Sequence, residues 1–307
     1  MPVMESPWLD PVWIAGAHGW IEEQADRLGL VRAGEIEQPH VYPWSTVLRV
    51  PTDQGDVWFK ANAAELQHEA ALVTLVAERA PERVPPLLAA DLERGWMLMA
   101  DAGRRLREVI AEERSLHRWL DVLPATARIQ LAMEPEVDAL LALGVPDMRL
   151  ATLPDRYARL MDILQAEDRF RTAQARVVEL CEELATFGIA ETLQHDDLHD
   201  GQVFLRNGTH LVMDWGDACV SHPFFTLSVT LEGGISWGVD DVENSEDTEP
   251  YLHAYLAPYA ERYDVDLDAA SRVATRLGWA CRAVNGHVAG DDEHTLARLR
   301  MFLDGRP

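Results

Sequence analysis

The sequence predicts an α+β protein in two lobes, a small strand-rich front half and a larger, mainly helical back half, with the boundary near residues 100–106. Three observations lead there. Hydrophobic spacing follows the helical period over residues 13–29, shortens to the alternation of strands from residue 34, and returns to the helical period over 63–79. After Asp101-Ala102-Gly103 long helical segments dominate. A length of 307 residues also suits about two average domains and buries a core without disulfide or metal staples.

In chain order, Ile14, Ala17, Ile21, Ala25 and Leu28 form one helical stripe, and Gly29 is its expected C-cap. EIEQPHVY reads as a strand, and STVLRVPTDQGDVWFKAN reads as two strands joined at Asp53, Gln54 and Gly55. A helix over 63–79 ends before the break at Pro85 and Pro86, which precedes the apolar strand WMLMA. In the back half, helical spacing covers 125–143 with a break at Pro135, 171–187 with Val177, Leu180, Cys181, Leu184 and Phe187 on one face, and 269–288. Between these helices lies LQHDDLHDGQVFLRNGTHLVMDWGDACVSHP, whose strands VFL and LVM flank an Asn207-Gly208 turn. Residues 240–249, with six acids and no Lys or Arg, read as a solvated loop.

Composition removes several function classes. Asp plus Glu total 52 against 27 Lys plus Arg, a formal charge of −25, and no basic patch interrupts the excess. Such a field repels phosphate backbones and anionic membrane surfaces, so neither nucleic acid nor membrane is expected as a partner. Cys181, Cys219 and Cys281 are widely spaced and lack a Cys-x-x-Cys pair, so reduced thiols are expected rather than a disulfide framework or a thiolate zinc site. No signal-peptide pattern and no run of about 18 apolar residues is present, which makes the cytoplasm the expected compartment.

The chemistry-bearing residues concentrate in the hairpin segment. Pairing of its two strands would bring Gln202 towards Asp214 and leave Asp197 on the entering loop. An amide oxygen and a carboxylate are hard ligands that suit Mg²⁺, and Asp197 would then orient an attacking hydroxyl or take its proton. The same residues would equally serve as turn caps, and spacing alone does not decide. A transition-metal cluster of His195 and His199 with these aspartates is disfavoured, since the two histidines lie in a loop and no His-Glu-x-x-His helix is present. His195 suits a structural role.

HDDLHDGQ followed by VMDWGDA resembles the catalytic segment of the aminoglycoside phosphotransferase and choline kinase superfamily, whose usual pattern is His-Gly-Asp-Leu-His-x-x-Asn and then Ile-Asp-Trp/Phe. The resemblance spans about residues 40–290 and is sharp only in that catalytic segment. It implies a two-lobed protein-kinase-like fold, with residues 1–103 as an ATP-binding lobe and 104–307 as a catalytic and acceptor-binding lobe. It implies ATP and Mg²⁺ as cofactors, Asp197 as the catalytic aspartate, and Gln202 and Asp214 as metal ligands. Lys60 in VWFK then resembles the lysine that reaches the nucleotide phosphates, and Glu69 its helical partner. MLMADAG would be the interlobe linker, offering backbone groups from Met99 to Asp101 to an adenine edge. Ser45 and Thr46 stand where the superfamily contacts phosphate.

The chain departs from the pattern at two places: Gln202 replaces Asn, one methylene longer, and Asp196 replaces Gly. A P-loop kinase is excluded by the lack of a Gly-Lys-Ser/Thr phosphate loop, and a protein kinase by the lack of Asp-Phe-Gly and Ala-Pro-Glu. An inactive kinase-like binding protein would be expected to have lost Lys60, Asp197 or Asp214, and all three are present.

For the acceptor, Asp217 is expected beside the reacting hydroxyl, and carboxylates there favour an aminated molecule. His199, Trp279 and Asn285 are further acceptor-binding candidates; Trp279 would stack on a sugar ring or simply fill the core, and Trp237 is similarly ambiguous. HDDLHDGQ, MDWGDACVSHPF and GWACRAVNGH together are most similar to an actinobacterial branch related to maltokinases that includes glucosamine kinases. That implies ATP-dependent 6-phosphorylation of glucosamine, with an aminoglycoside as the alternative acceptor.

Overall fold

The computed structural model describes residues 7–305. The chain divides into two compact units, one formed by the chain up to Gly103 together with Leu205–Gly216, the other by Arg104–Phe204 together with the chain from Asp217.

The first unit opens with helix α1, Pro11–Leu28. Asp10 caps it by accepting the Val12 N–H, Pro11 begins it, and Gly29 at φ 69° closes it. Strands β1 (Glu37–Tyr42), β2 (Ser45–Thr52) and β3 (Gly55–Asn62) follow, then helix α2 (Glu69–Arg79), β4 (Leu87–Asp91) and β5 (Trp96–Ala100). They form an antiparallel sheet in the order β1-β2-β3-β5-β4. The expected turn at 53–55 joins β2 to β3, whereas β4 was not foreseen. The helix expected over 63–79 is shorter: Ala64–Leu66 forms a 3₁₀ turn and α2 starts at Glu69. Helix α1 packs on the sheet through Trp20 and Ile21, which join Leu48, Phe59, Trp96 and Leu98 in one core. Edge-to-face rings bind it, with Trp20 at 5.7 Å from Phe59 and 5.8 Å from Trp96.

The second unit begins with the short strand β6 (Arg104–Arg105) and helices α3 (Leu106–Glu113), α4 (Trp119–Met133), α5 (Val137–Ala142), α6 (Leu153–Ile163), α7 (Asp168–Thr172) and α8 (Gln174–Ala185). A 3₁₀ turn at Glu134–Glu136 separates α4 from α5, where Pro135 predicts a break. Val177, Leu180, Cys181 and Leu184 are buried on α8, and Phe187 beyond its end is half-buried. After β7 (Thr192–Gln194), β8 (Val203–Arg206) and β9 (Thr209–Val212) form the expected hairpin, which from Leu205 onward belongs to the first unit. Asn207 and Gly208 turn it at φ 52° and 81°, the conformation that favours those two residues.

Strand β10 (Cys219–Ser221) pairs antiparallel with β7. Helices α9 (Glu249–Ala260), α10 (Leu267–Asn285) and α11 (Asp292–Asp304) complete the second unit. Residues 240–248 are turns and bends, largely exposed. All three cysteines are buried free thiols, and among the described residues no helix is long and apolar enough to cross a membrane.

Candidate active site

In the first unit, strand alternation puts Lys60 and Asn62 on the same face of β3. Glu69, the first residue of α2, is 1% exposed at the helix N-terminus, where backbone N–H groups favour an anion. Lys60 Nζ donates to Glu69 Oε1 at 2.8 Å and to Asp214 Oδ1 at 2.6 Å. The Asn62 amide donates to Glu69 Oε2, and the Trp215 N–H donates to Glu69 Oε1 at 2.8 Å. Burial disfavours the ammonium, but Asp214 and Glu69 outweigh that cost and hold Lys60 above the ordinary lysine range. Asp214 follows β9 at φ 61°, a left-handed position that costs a non-glycine residue about 1 kcal/mol, and its side chain is half exposed.

A sharper sequence signal for Lys60 than its spacing is its rarity. It is the only lysine in the chain, so the other 26 of the 27 Lys plus Arg are arginines.

In the second unit a different cation organises the carboxylates. Gly278 lets α10 approach the segment before α9, because a Cβ there would lie 2.1 Å from Ser228 Oγ and 3.0 Å from the Phe225 carbonyl oxygen. That packing buries Trp279 and Arg282. Arg282 Nη2 contacts Asp197 Oδ1 at 2.9 Å and Asp217 Oδ2 at 3.0 Å, while Nη1 lies 3.4 Å from Asp196 Oδ2. Burial opposes the guanidinium charge, and Asp197, Asp217 and Asp196 reverse the balance to hold Arg282 above its ordinary range.

Asp196 itself is 2% exposed and sits at φ 64°. Burial is the main cause that pushes its carboxyl up to about 6, against the opposing pull of Arg282 and Asn285. Asn285 Nδ2 donates to Asp196 Oδ2 at 2.8 Å and to the Asp217 carbonyl at 2.7 Å. Arg282 was not singled out in the sequence; an arginine set among Ala280, Cys281 and Ala283 was the available signal for it.

The Gly201 N–H donates to His199 Nδ1 at 3.0 Å, and His199 Nε2 lies 3.7 Å from Asp197 Oδ2. Asp200 pairs with Arg107 at 2.8 Å. Burial raises the Asp200 carboxyl, but its bonds to His199 and Arg107 bring it below the usual range. Gln202, half-buried, donates its backbone N–H to the His199 carbonyl.

Other candidates are engaged locally. The Thr46 hydroxyl donates to the His40 carbonyl at 2.8 Å and accepts from Gln38, and Ser45 Oγ lies 3.2 Å from His40 Nε2. Met99 is buried opposite Trp58 in the sheet, and Asp101 is exposed and accepts the Gly103 N–H. Trp279 Nε1 donates to Glu232 Oε2 at 2.6 Å.

Two features bear on metal chemistry. Asp214 in the first unit presents a half-exposed carboxylate and Gln202 in the second a half-buried amide, each with a hard oxygen of the kind Mg²⁺ prefers. Asp196, Cys219 and Cys281 also have ligand atoms within 4.8 Å of one another. There, however, Arg282 and Asn285 hold the carboxylate and the Cys219 thiol donates to Gln194 Oε1, so the cluster reads as hydrogen-bonded packing beside a buried cation.

The family described as "Phosphotransferase enzyme family" matches residues 30–267. Comparison with curated protein sequences gives no match. Among solved structures, the streptomycin-ATP-APH(2″)-IIa ternary complex is similar at a TM-score of 0.61 and 14% identity, over 92% of this chain and 97% of that one. Plasmodium vivax ethanolamine kinase is similar at 0.62 and 12% identity, over 89% of this chain and 84% of that one. Choline kinase from Streptococcus pneumoniae gives 0.61 and 13% identity, over 94% and 98%. These likenesses show that the chain has the protein-kinase-like fold.

Proposed function

Because the chain belongs to the phosphotransferase enzyme family, we propose that it is an ATP-dependent small-molecule kinase acting on a hydroxyl of an amino sugar, converting glucosamine to glucosamine 6-phosphate. The observation that carries this reading is the buried Lys60 held between Glu69 and Asp214. It is a fixed cation of the kind needed against nucleotide phosphates in a chain of net charge −25. The choice of glucosamine rests on the resemblance of HDDLHDGQ and GWACRAVNGH to the glucosamine kinase branch.

The first unit binds the nucleotide: Lys60 offsets phosphate charge, Glu69 holds Lys60, and backbone groups from Met99 to Asp101 meet the adenine edge. Gln202 and Asp214 would hold Mg²⁺, which when bound offsets phosphate charge that Lys60 alone does not. In the second unit Asp197 orients the acceptor hydroxyl. A bond forms from the hydroxyl oxygen to the γ-phosphorus as the bond from that phosphorus to the β,γ-bridging oxygen breaks. The electron pair leaves with ADP, and the hydroxyl proton passes to Asp197. Asp217, a third exposed, favours an ammonium on the acceptor, with His199 and Asn285 as further acceptor contacts, whereas Trp279, buried and bonded to Glu232, fills the core rather than stacking on a sugar ring.

ATP consumption with glucosamine, neutral sugars, kanamycin and choline tests the reading. Turnover with glucosamine is expected, and Asp197→Asn lowers it by about 10²–10⁴-fold. Turnover of kanamycin without glucosamine would refute the preferred acceptor, and full activity of Asp197→Asn would refute the mechanism.

A further inference from the structure

We propose that Arg282 is a positioning residue: its guanidinium fixes the Asp197 carboxylate for the acceptor hydroxyl, and Asp196 is the anchor that holds the guanidinium. This rests on the reading of Asp197 as the group that meets the acceptor. Three carboxylates crowd this part of the second unit, and without a cation between them Asp197 would be repelled by Asp196 and Asp217. One Nη2 spans Asp197 and Asp217, so the fork sets a direction for Asp197 that a point charge cannot.

The backbone at Asp196 supports a dedicated anchor. Its φ of 64° suits glycine, the residue the resembling families carry there. This chain places an aspartate in that strained position and buries it against Arg282 and Asn285. Phosphoryl transfer gains most of its rate from positioning and electrostatics, so a clamp on the acceptor-orienting carboxylate acts on the step itself. The titratable and charged groups around Arg282 and Asp197 are Asp196, Asp217, His199, Cys281 and Arg298.

The test pairs kinetics with the carbon NMR resonance of the Asp197 side-chain carboxyl, read at one fixed pH in the full-length protein. Arg282→Lys keeps the charge and loses the fork; it is expected to lower kcat for ATP plus glucosamine by about 10–100-fold with KM for ATP within about twofold. Arg282→Met, which removes the cation beside Asp197, moves that resonance. Asp196→Gly, which suits the backbone, loses about tenfold in kcat, whereas Asp196→Asn, which keeps an acceptor oxygen and tolerates the left-handed conformation, stays within about threefold.

Wild-type kcat in both Arg282→Lys and Asp196→Gly, or an unmoved Asp197 resonance in Arg282→Met, would overturn the proposal. If Arg282→Met does not fold, Asp196→Gly against Asp196→Asn decides it. Should wild type phosphorylate neither glucosamine nor kanamycin, the functional reading fails, and the Asp197 resonance in Arg282→Met still decides whether Arg282 sets the carboxylate.

Discussion

Among the described residues, each unit buries one cation among carboxylates, and the two cations differ in kind. Lys60 in the first unit is a point charge between two acids, Glu69 and Asp214. Arg282 in the second unit is a planar fork among three, Asp196, Asp197 and Asp217. A compact ammonium reorients among its partners and can turn to a phosphate that arrives, whereas a guanidinium committed in several directions holds side chains still. In a chain with 26 arginines, the single lysine stands between Glu69 and Asp214, where we propose that nucleotide phosphates are met. The contrast assigns adaptability to the first network and rigidity to the second.

The largest expected effect comes from deleting the adaptable cation. Lys60→Met is expected to lower kcat/KM for ATP by about 10²–10³-fold, as for loss of one preorganised donor to developing charge. Lys60→Arg should recover less than a tenth of wild-type activity, and full recovery would erase the distinction drawn between the two networks. Since Lys60 is the only lysine, an amine-reactive acyl phosphate of ATP should label that side chain apart from the chain N-terminus, with ATP protecting it; labelling that ATP does not reduce would break the nucleotide role.

A smaller effect separates the networks by pH. The folded carboxyl of Asp196 lies at about 6, above the usual value near 3.9 of an unfolded chain, so its protonated form is the one the fold favours. Its stabilising contribution is complete below about pH 4 and is lost as pH rises through 6. Asp196→Asn mimics the protonated group, so its stability should match wild type near pH 4 and exceed it by about 1–3 kcal/mol at pH 7. Denaturant unfolding at both pH values reads this, and a gap that does not widen with pH would contradict the burial argument. Smallest is Asp10→Ala, which removes the cap of α1 far from either cation; it should cost about 1 kcal/mol and leave kcat unchanged.

These networks were unequally legible in the sequence. Asp214 is a candidate from a local pattern, since the Asn207-Gly208 turn and the acid after β9 can be read in a few residues, whereas Lys60 and Glu69 become candidates through the resemblance of the catalytic segment. Neither route reaches Arg282, because its partners lie 65 to 86 residues away in the chain. Helix α9 was missed for another reason. Tyr251, Tyr255 and Tyr259 recur every four residues and are buried, with Tyr255 and Tyr259 both bonded to Gln130 Oε1, but Pro258 and the polar hydroxyls mask an apolar period. Strand β4, LLAAD, is too short and too even in character to separate from the loop before it.

The central claim is phosphoryl transfer from ATP to a hydroxyl of an aminated sugar. Phosphorus NMR of the enzyme with ATP, Mg²⁺ and glucosamine tests it most directly. The account predicts ADP and a sugar phosphate monoester in equal amounts, with the ester on the 6-hydroxyl. Release of inorganic phosphate alone, or unchanged ATP with glucosamine and with kanamycin, would contradict it.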